Sequence, residues 1–145
     1  MNSYAFVFPG QGSQSVGMGR ALAETSAAAR SILDRADAAL GEPISRLAWD
    51  GLADQLDRTE NAQPALLATS IAYLAALRER WADMGLEAPE PRFAAGHSMG
   101  QYTAMVAAGV LSLADGIRLV RERGLRMQAS GQDRDGAMAA ILGLD

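Results

Sequence analysis

The sequence predicts an α/β protein, and three observations carry the prediction. Short apolar runs alternate with helical patterns, in the order strand, helices, strand, helices, strand. The first two runs each lead into a glycine-containing turn. The strands are also few. Three stand here, against the about five or six of a typical sheet, and a parallel sheet must be covered on both faces. The pattern therefore reads as part of a larger parallel sheet, here incomplete.

Tyr4 to Phe8 is a short aromatic and β-branched run stopped by Pro9-Gly10, and it predicts a buried strand of the parallel type. Pro9 to Gly17 carries too many glycines for a regular element, and helical pattern begins at about Met18. Ser26 is read as the cap of a helix carrying Ile32, Leu33, Ala36 and Leu40, ended by Gly41 and Pro43. Ile44 to Thr59 predicts short helical turns. The clearest helix follows, with Pro64 in its first turn, Gly85 after its end, and an apolar stripe of Leu67, Ile71, Leu74 and Trp81. Pro89 and Pro91 break the chain, and Arg92 to Gly96 is a second strand of low propensity. Helices are expected from Met99 to about Ala108 and from Leu113 to about Ser130. Ser112 and Asp115 resemble a capping box with aspartate in place of glutamate. Ala137 to Leu142 is the third strand candidate.

Composition narrows the chemistry. The 145 residues include no cysteine, no lysine and one histidine, His97, so all 13 positive side chains are arginine. That excludes disulfides, thiolate zinc sites and a cysteine nucleophile. It also excludes a phosphate-loop lysine, a Schiff-base lysine and a multi-histidine metal cluster within one chain. A net charge of -4 argues against a nucleic-acid partner. The longest apolar stretch, Gly136 to Leu144, is far short of the ~18–20 residues of a membrane span. The N-terminus lacks the positive segment of a signal peptide. The expectation is a cytoplasmic protein with no nucleic-acid or membrane partner.

The best candidate for chemistry is Gly96-His97-Ser98-Met99-Gly100, a G-x-S-x-G between a strand and a helix. This is the context of a nucleophile elbow: glycines permit the tight turn, and the helix start helps stabilise an oxyanion at the serine. A serine needs a base. His97 is its immediate neighbour and points elsewhere, so it is a poor base for Ser98. It reads instead as a packed, hydrogen-bonded support of the elbow.

The loop after the first strand has Gly10 and Gly12, but Ser15 stands where a dinucleotide fingerprint needs its third glycine, and no lysine follows. What remains is a set of backbone N–H groups. Those of Gln11 and Met99 fit the two oxyanion donors of such a site, against an ordinary tight turn as the plain alternative. On the last helix Leu113, Ile117, Val120, Gly124 and Met127 form the apolar face, with Arg118 and Arg126 opposite in solvent. Arg121 and Arg123 lie at its two edges. Either can reach inward to hold a carboxylate, and periodicity does not choose between them.

Together these segments resemble malonyl-CoA:acyl-carrier-protein transacylase, the acyltransferase family of fatty-acid synthesis. The resemblance rests on Phe6-Val7-Phe8-Pro9-Gly10-Gln11-Gly12-Ser13-Gln14, Gln63-Pro64-Ala65-Leu66-Leu67, Gly96-His97-Ser98-Met99-Gly100, and Arg123-Gly124 with Met127-Gln128. It spans the whole chain in the family's order. It implies an α/β-hydrolase-like core with an inserted ferredoxin-like subdomain. Residues 1–130 would be the first part of the core and 131–145 the start of the insertion.

It implies Ser98 as the acylated serine, Gln11 and Met99 as the oxyanion donors, and Arg123 as the partner of the malonyl carboxylate. Gln63 matches a glutamine near the active site, and His97 stands beside it as a further possible substrate contact. The implied reaction is ping-pong. Malonyl-CoA donates its acyl group to Ser98, and the pantetheine arm of acyl-carrier protein accepts it, with no permanently bound cofactor. Two departures stand out. Gln101 occupies a position where the family more often has glutamate, and the family's catalytic histidine belongs to a second half that these residues do not contain. The expectation is an incomplete chain that needs its C-terminal half for activity. The competing readings are a non-catalytic fragment or split subunit, a polyketide-type acyltransferase and a serine esterase. Arg123 argues against the esterase, because a neutral ester leaves a buried cation unpaired.

Overall fold

The structure, a computed structural model, describes residues 4–130. In chain order its elements are β1 (Ala5–Phe8), α1 (Arg20–Thr25), α2 (Ala27–Leu40), α3 (Ile44–Asp50), α4 (Ala53–Leu56), α5 (Thr59–Asp83), β2 (Phe93–Gly96), α6 (Gly100–Ala107) and α7 (Leu113–Ser130). β1 and β2 pair in parallel, with Ala5 opposite Phe93 and Phe8 opposite Gly96. The described part is α/β with a small parallel sheet, as the alternation of patterns predicts. The third strand candidate, Ala137 to Leu142, lies outside the described residues.

Local chemistry explains the helix limits. The Ser26 hydroxyl accepts the Ala29 N–H at 3.0 Å, and Gly41 at φ 68 closes α2 in the left-handed region. Ser26 also donates to the Glu79 carboxylate, which accepts the Ala28 N–H at 3.0 Å. The start of α2 is thereby docked on α5. At α7 the Asp115 N–H donates to the Ser112 hydroxyl at 3.1 Å. The shorter aspartate turns to the Ser112 hydroxyl, 2.6 Å away.

The core surrounds α5. From Ala62 to Thr69 every residue is buried, because α2, α6 and α7 pack around the helix. The expected single stripe is therefore too narrow. Leu67, Ile71 and Leu74 are buried, but so are the faces between them, and Trp81 is only half-buried. Pro64 is also placed differently from the expectation. The helix starts at Thr59, so the proline sits in the second turn and offers no N–H to the Glu60 carbonyl four residues back. Arg121 Nη1 of α7 donates to that carbonyl at 2.8 Å, so the group left without its helical partner is satisfied from outside.

The expectation of a buried first strand is corrected. Phe8 is buried, but Val7 on the opposite face is 76% exposed, and Phe93 on β2 is 65% exposed. Among the described residues the sheet has two strands, so that face has nothing packed over it.

Candidate active site

The chain runs from β2 into α6 through one sharp turn. The His97 N–H donates to the Phe8 carbonyl at 3.1 Å, which carries the pairing with β1 one step beyond the strand. Ser98 follows with φ 50, the one non-glycine residue in the left-handed region among those described. Such a conformation costs a residue with a Cβ roughly 1–2 kcal/mol, and strain of this kind concentrates at functional sites. The Gly100 N–H donates back to the His97 carbonyl at 2.8 Å.

The glycines of the motif are explained by the space around them. A Cβ at Gly96 would lie 2.0 Å from the Gly100 carbonyl carbon and oxygen. One at Gly100 would lie 2.6 Å from the Phe8 carbonyl oxygen and 2.7 Å from that of Pro9. Both obstacles are backbone, so neither position accepts a side chain without breaking the turn. The elbow is pressed against the end of β1 on one side and the start of α6 on the other.

Ser98 is half-buried and Met99 beside it is fully buried. The Ser98 hydroxyl faces Arg123, whose Nη2 donates to it at 3.1 Å. Arg123 Nη1 donates to Gln63 Oε1 at 2.8 Å, and the guanidinium carbon lies 6.0 Å from the centre of the Tyr102 ring. Gln63 is completely buried, and its Nε2 donates to Met127 Sδ at 3.5 Å. Four elements thus meet at the serine: the β2–α6 turn, α5, α6 and α7.

The structure also separates the two arginines that periodicity left equivalent. Arg121 turns away from Ser98 to the Glu60 carbonyl, to Asn61 Oδ1 at 2.6 Å, and to the Glu42 carboxylate. Arg123 faces the serine. Among the described residues no carboxylate lies within 4.0 Å of it. Arg118 and Arg126 are largely exposed, as expected.

The other expected residues are placed as follows. Gln11 is exposed in the loop after β1, and its Nε2 donates to Thr59 Oγ1 at 3.2 Å. The loop is held by Gln14, whose amide accepts the Gly12 N–H and donates to Asp57 Oδ1, both at 2.8 Å. The backbone N–H groups of Gln11 and Met99 have no acceptor among the described residues. His97 departs from its expectation. It is exposed, and its ring makes no hydrogen bond among the described residues. Its support is steric: a Cβ at Gly10 would come within 2.5 Å of its Nδ1, so the ring lies directly against that glycine. Sequence reasoning missed Tyr102 and the anchoring of Arg121. A proline inside a helix frees the carbonyl four residues earlier, but which side chain takes it up depends on packing about sixty residues away.

No group of three or more potential metal ligands occurs among the described residues. No helix there is long and apolar enough to cross a membrane.

A strained serine at a strand-to-helix turn, with an arginine donating to its hydroxyl, is the arrangement this α/β protein offers for chemistry. The chain belongs to the acyl transferase domain family, whose model matches residues 5–143. It is 49% identical over 145 residues to the malonyl CoA-acyl carrier protein transacylase of Bacillus subtilis (strain 168), covering 100% of this chain and 44% of that protein. With the protein of the same name from Escherichia coli (strain K12) it shares 46% identity, over 100% of this chain and 45% of the other. The crystal structure of acyl-carrier-protein-S-malonyltransferase from Bartonella henselae superposes with a TM-score of 0.82 and 46% identity, over 89% of this chain and 40% of that one. The chain thus spans less than half the length of these relatives.

Proposed function

We propose that these residues form the N-terminal portion of a cytoplasmic acyltransferase that moves a malonyl group from coenzyme A to the pantetheine thiol of an acyl-carrier protein. The observation that carries the reading is Arg123. Its guanidinium sits 3.1 Å from the Ser98 hydroxyl and has no carboxylate within ion-pair distance among the described residues. A cation held beside a nucleophile suits an acyl group that itself ends in a carboxylate.

The reaction in this reading is ping-pong. Ser98 Oγ attacks the malonyl thioester carbon and gives up its proton to a base. The resulting oxyanion is met by the backbone N–H groups of Met99 and Gln11. Collapse of the intermediate breaks the C–S bond, and coenzyme A leaves as its thiol once protonated. The pantetheine thiol then attacks the acyl-serine by the same route, and Ser98 regains its proton. Arg123 holds the malonyl carboxylate through both halves. The base in this reading is not His97, which is exposed and lies against Gly10, but the histidine that the family resemblance assigns to the second half of the family's fold. The finer architecture belongs to the same reading: residues 1–130 as the first part of an α/β-hydrolase-like core, and 131–145 as the start of an inserted ferredoxin-like subdomain.

Incubation with malonyl-CoA followed by intact mass measurement tests this. The chain alone takes up little label, since general-base assistance is worth roughly 10²–10⁴-fold in rate. The chain joined to the C-terminal part of the B. subtilis relative becomes malonylated, and Ser98→Ala abolishes the adduct. A joined protein that folds but takes no malonyl group overturns the reading, as does an adduct that survives Ser98→Ala.

A further inference from the structure

We propose that Gln63 is a positioning residue for Arg123, and that its neutrality keeps the arginine's charge available to a carboxylate on the acyl group. The inference rests on the function proposed above and assigns Gln63 to specificity rather than to substrate contact.

Gln63 is fully buried, and a buried amide needs partners for both its ends. Here both partners come from one face of α7. Arg123 presents only donors, so it takes Oε1. Met127, one turn further on, presents only a weak sulfur acceptor, so it takes Nε2. The two contacts fix which way the amide faces. Because α5 is buried on all sides at this point, the amide is a rigid reference for the guanidinium.

The three groups that hold Arg123 are an amide oxygen, a hydroxyl and an aromatic face, and none carries a charge. Arg121, two residues earlier on the same helix, is the contrast. It meets the Glu42 carboxylate, and its charge is used within the fold. A glutamate at position 63 would do the same to Arg123. It would also set a carboxylate oxygen against Met127 sulfur, two acceptors face to face. A leucine there would fill the space but leave Nη1 without its acceptor and the guanidinium free to swing.

The test uses two variants and two measurements. In the chain joined to the C-terminal part of the B. subtilis relative, Gln63→Leu and Gln63→Glu are assayed with malonyl-CoA and acetyl-CoA. Each raises the malonyl-CoA KM by about tenfold or more, equivalent to ~1.4 kcal/mol of binding, with kcat little changed and acetyl transfer unaffected. Gln63→Glu has the larger effect because it supplies a competing carboxylate. Equal losses with both substrates, or a fall in kcat alone, overturn the proposal, since a merely structural defect would act that way. The second measurement uses the 145-residue chain itself, by NMR of the Arg123 Nε–Hε group, assigned with Arg123→Lys. Gln63→Leu shifts and broadens that signal while the backbone spectrum is retained, and an unmoved signal overturns the proposal. If the joined wild-type protein transfers no malonyl group, the proposed function falls, and the NMR result still decides whether Gln63 positions Arg123.

Discussion

Gly124 on α7 gives a prediction whose sign runs against helix propensity. Replacing a helical glycine with alanine ordinarily stabilises a helix by about 0.5–1 kcal/mol. At Gly124 the new Cβ would lie 2.6 Å from Glu60 Cα, 2.7 Å from the Thr59 carbonyl oxygen and 2.9 Å from the Glu60 nitrogen. All three are backbone atoms at the start of α5, and none can rotate away. To reach ordinary carbon–carbon contact the two helices must part by roughly 0.9 Å. Just before Gly124 in α7, Arg121 contacts the Glu60 carbonyl and Arg123 contacts Gln63, both at 2.8 Å. A separation of that size takes both beyond hydrogen-bond range. Overpacking costs about 1–3 kcal/mol, so after the propensity gain a net loss of ~1–2 kcal/mol is expected. Gly116→Ala is the internal comparison. Its Cβ would meet Val106 Cγ2 at 2.5 Å, a side-chain methyl that can turn aside, so the loss there is smaller. Urea unfolding of the wild type and both variants measures the difference. A Gly124→Ala chain as stable as the wild type would refute the reasoning.

Three further predictions concern the elbow, a helix cap and a surface ion pair. Ser98→Gly is expected to be more stable than Ser98→Ala by about 1 kcal/mol, because glycine adopts φ 50 without the Cβ clash. A glycine variant with the lower unfolding midpoint would show that the turn is not strained. Ser26→Ala removes the cap of α2 and one partner of Glu79, and is expected to lose about 0.5–2 kcal/mol. Arg126→Ala, which breaks an exposed pair with Glu122, changes stability by less than ~0.5 kcal/mol. Thermal melts of the two variants side by side check the order.

What the sequence made legible follows the range of the forces involved. The limits of α2 and the start of α7 come from cap chemistry within four residues, and Ser26, Gly41 and Ser112 announce them. The elbow is local only in part: Gly96 is dictated by the Gly100 backbone four residues on, whereas Gly100 is dictated by the end of β1. The start of α5 was not legible, because the turn before Pro64 is held from α7, some sixty residues later in the chain. The choice between Arg121 and Arg123 was closed for the same reason. Both sit at an edge of one helix face, and only their surroundings differ: Glu42 and Asn61 for one, Ser98 and Gln63 for the other. Burial of β1 was overestimated because an apolar run states what a strand suits, not what lies over it.

Pro64 has a reach well beyond its own helix. A sliding error of one turn between α5 and α7 would displace every side chain by about 5.4 Å, enough to carry Arg123 out of range of Ser98. The apolar surfaces of two helices tolerate such slippage, since one methyl group packs much like another. A lone carbonyl does not: it offers a single mark along the axis, and Arg121 engages it. The absent hydrogen on one ring nitrogen works as an index notch, setting the axial position of a second helix and with it the distance between a cation and a nucleophile.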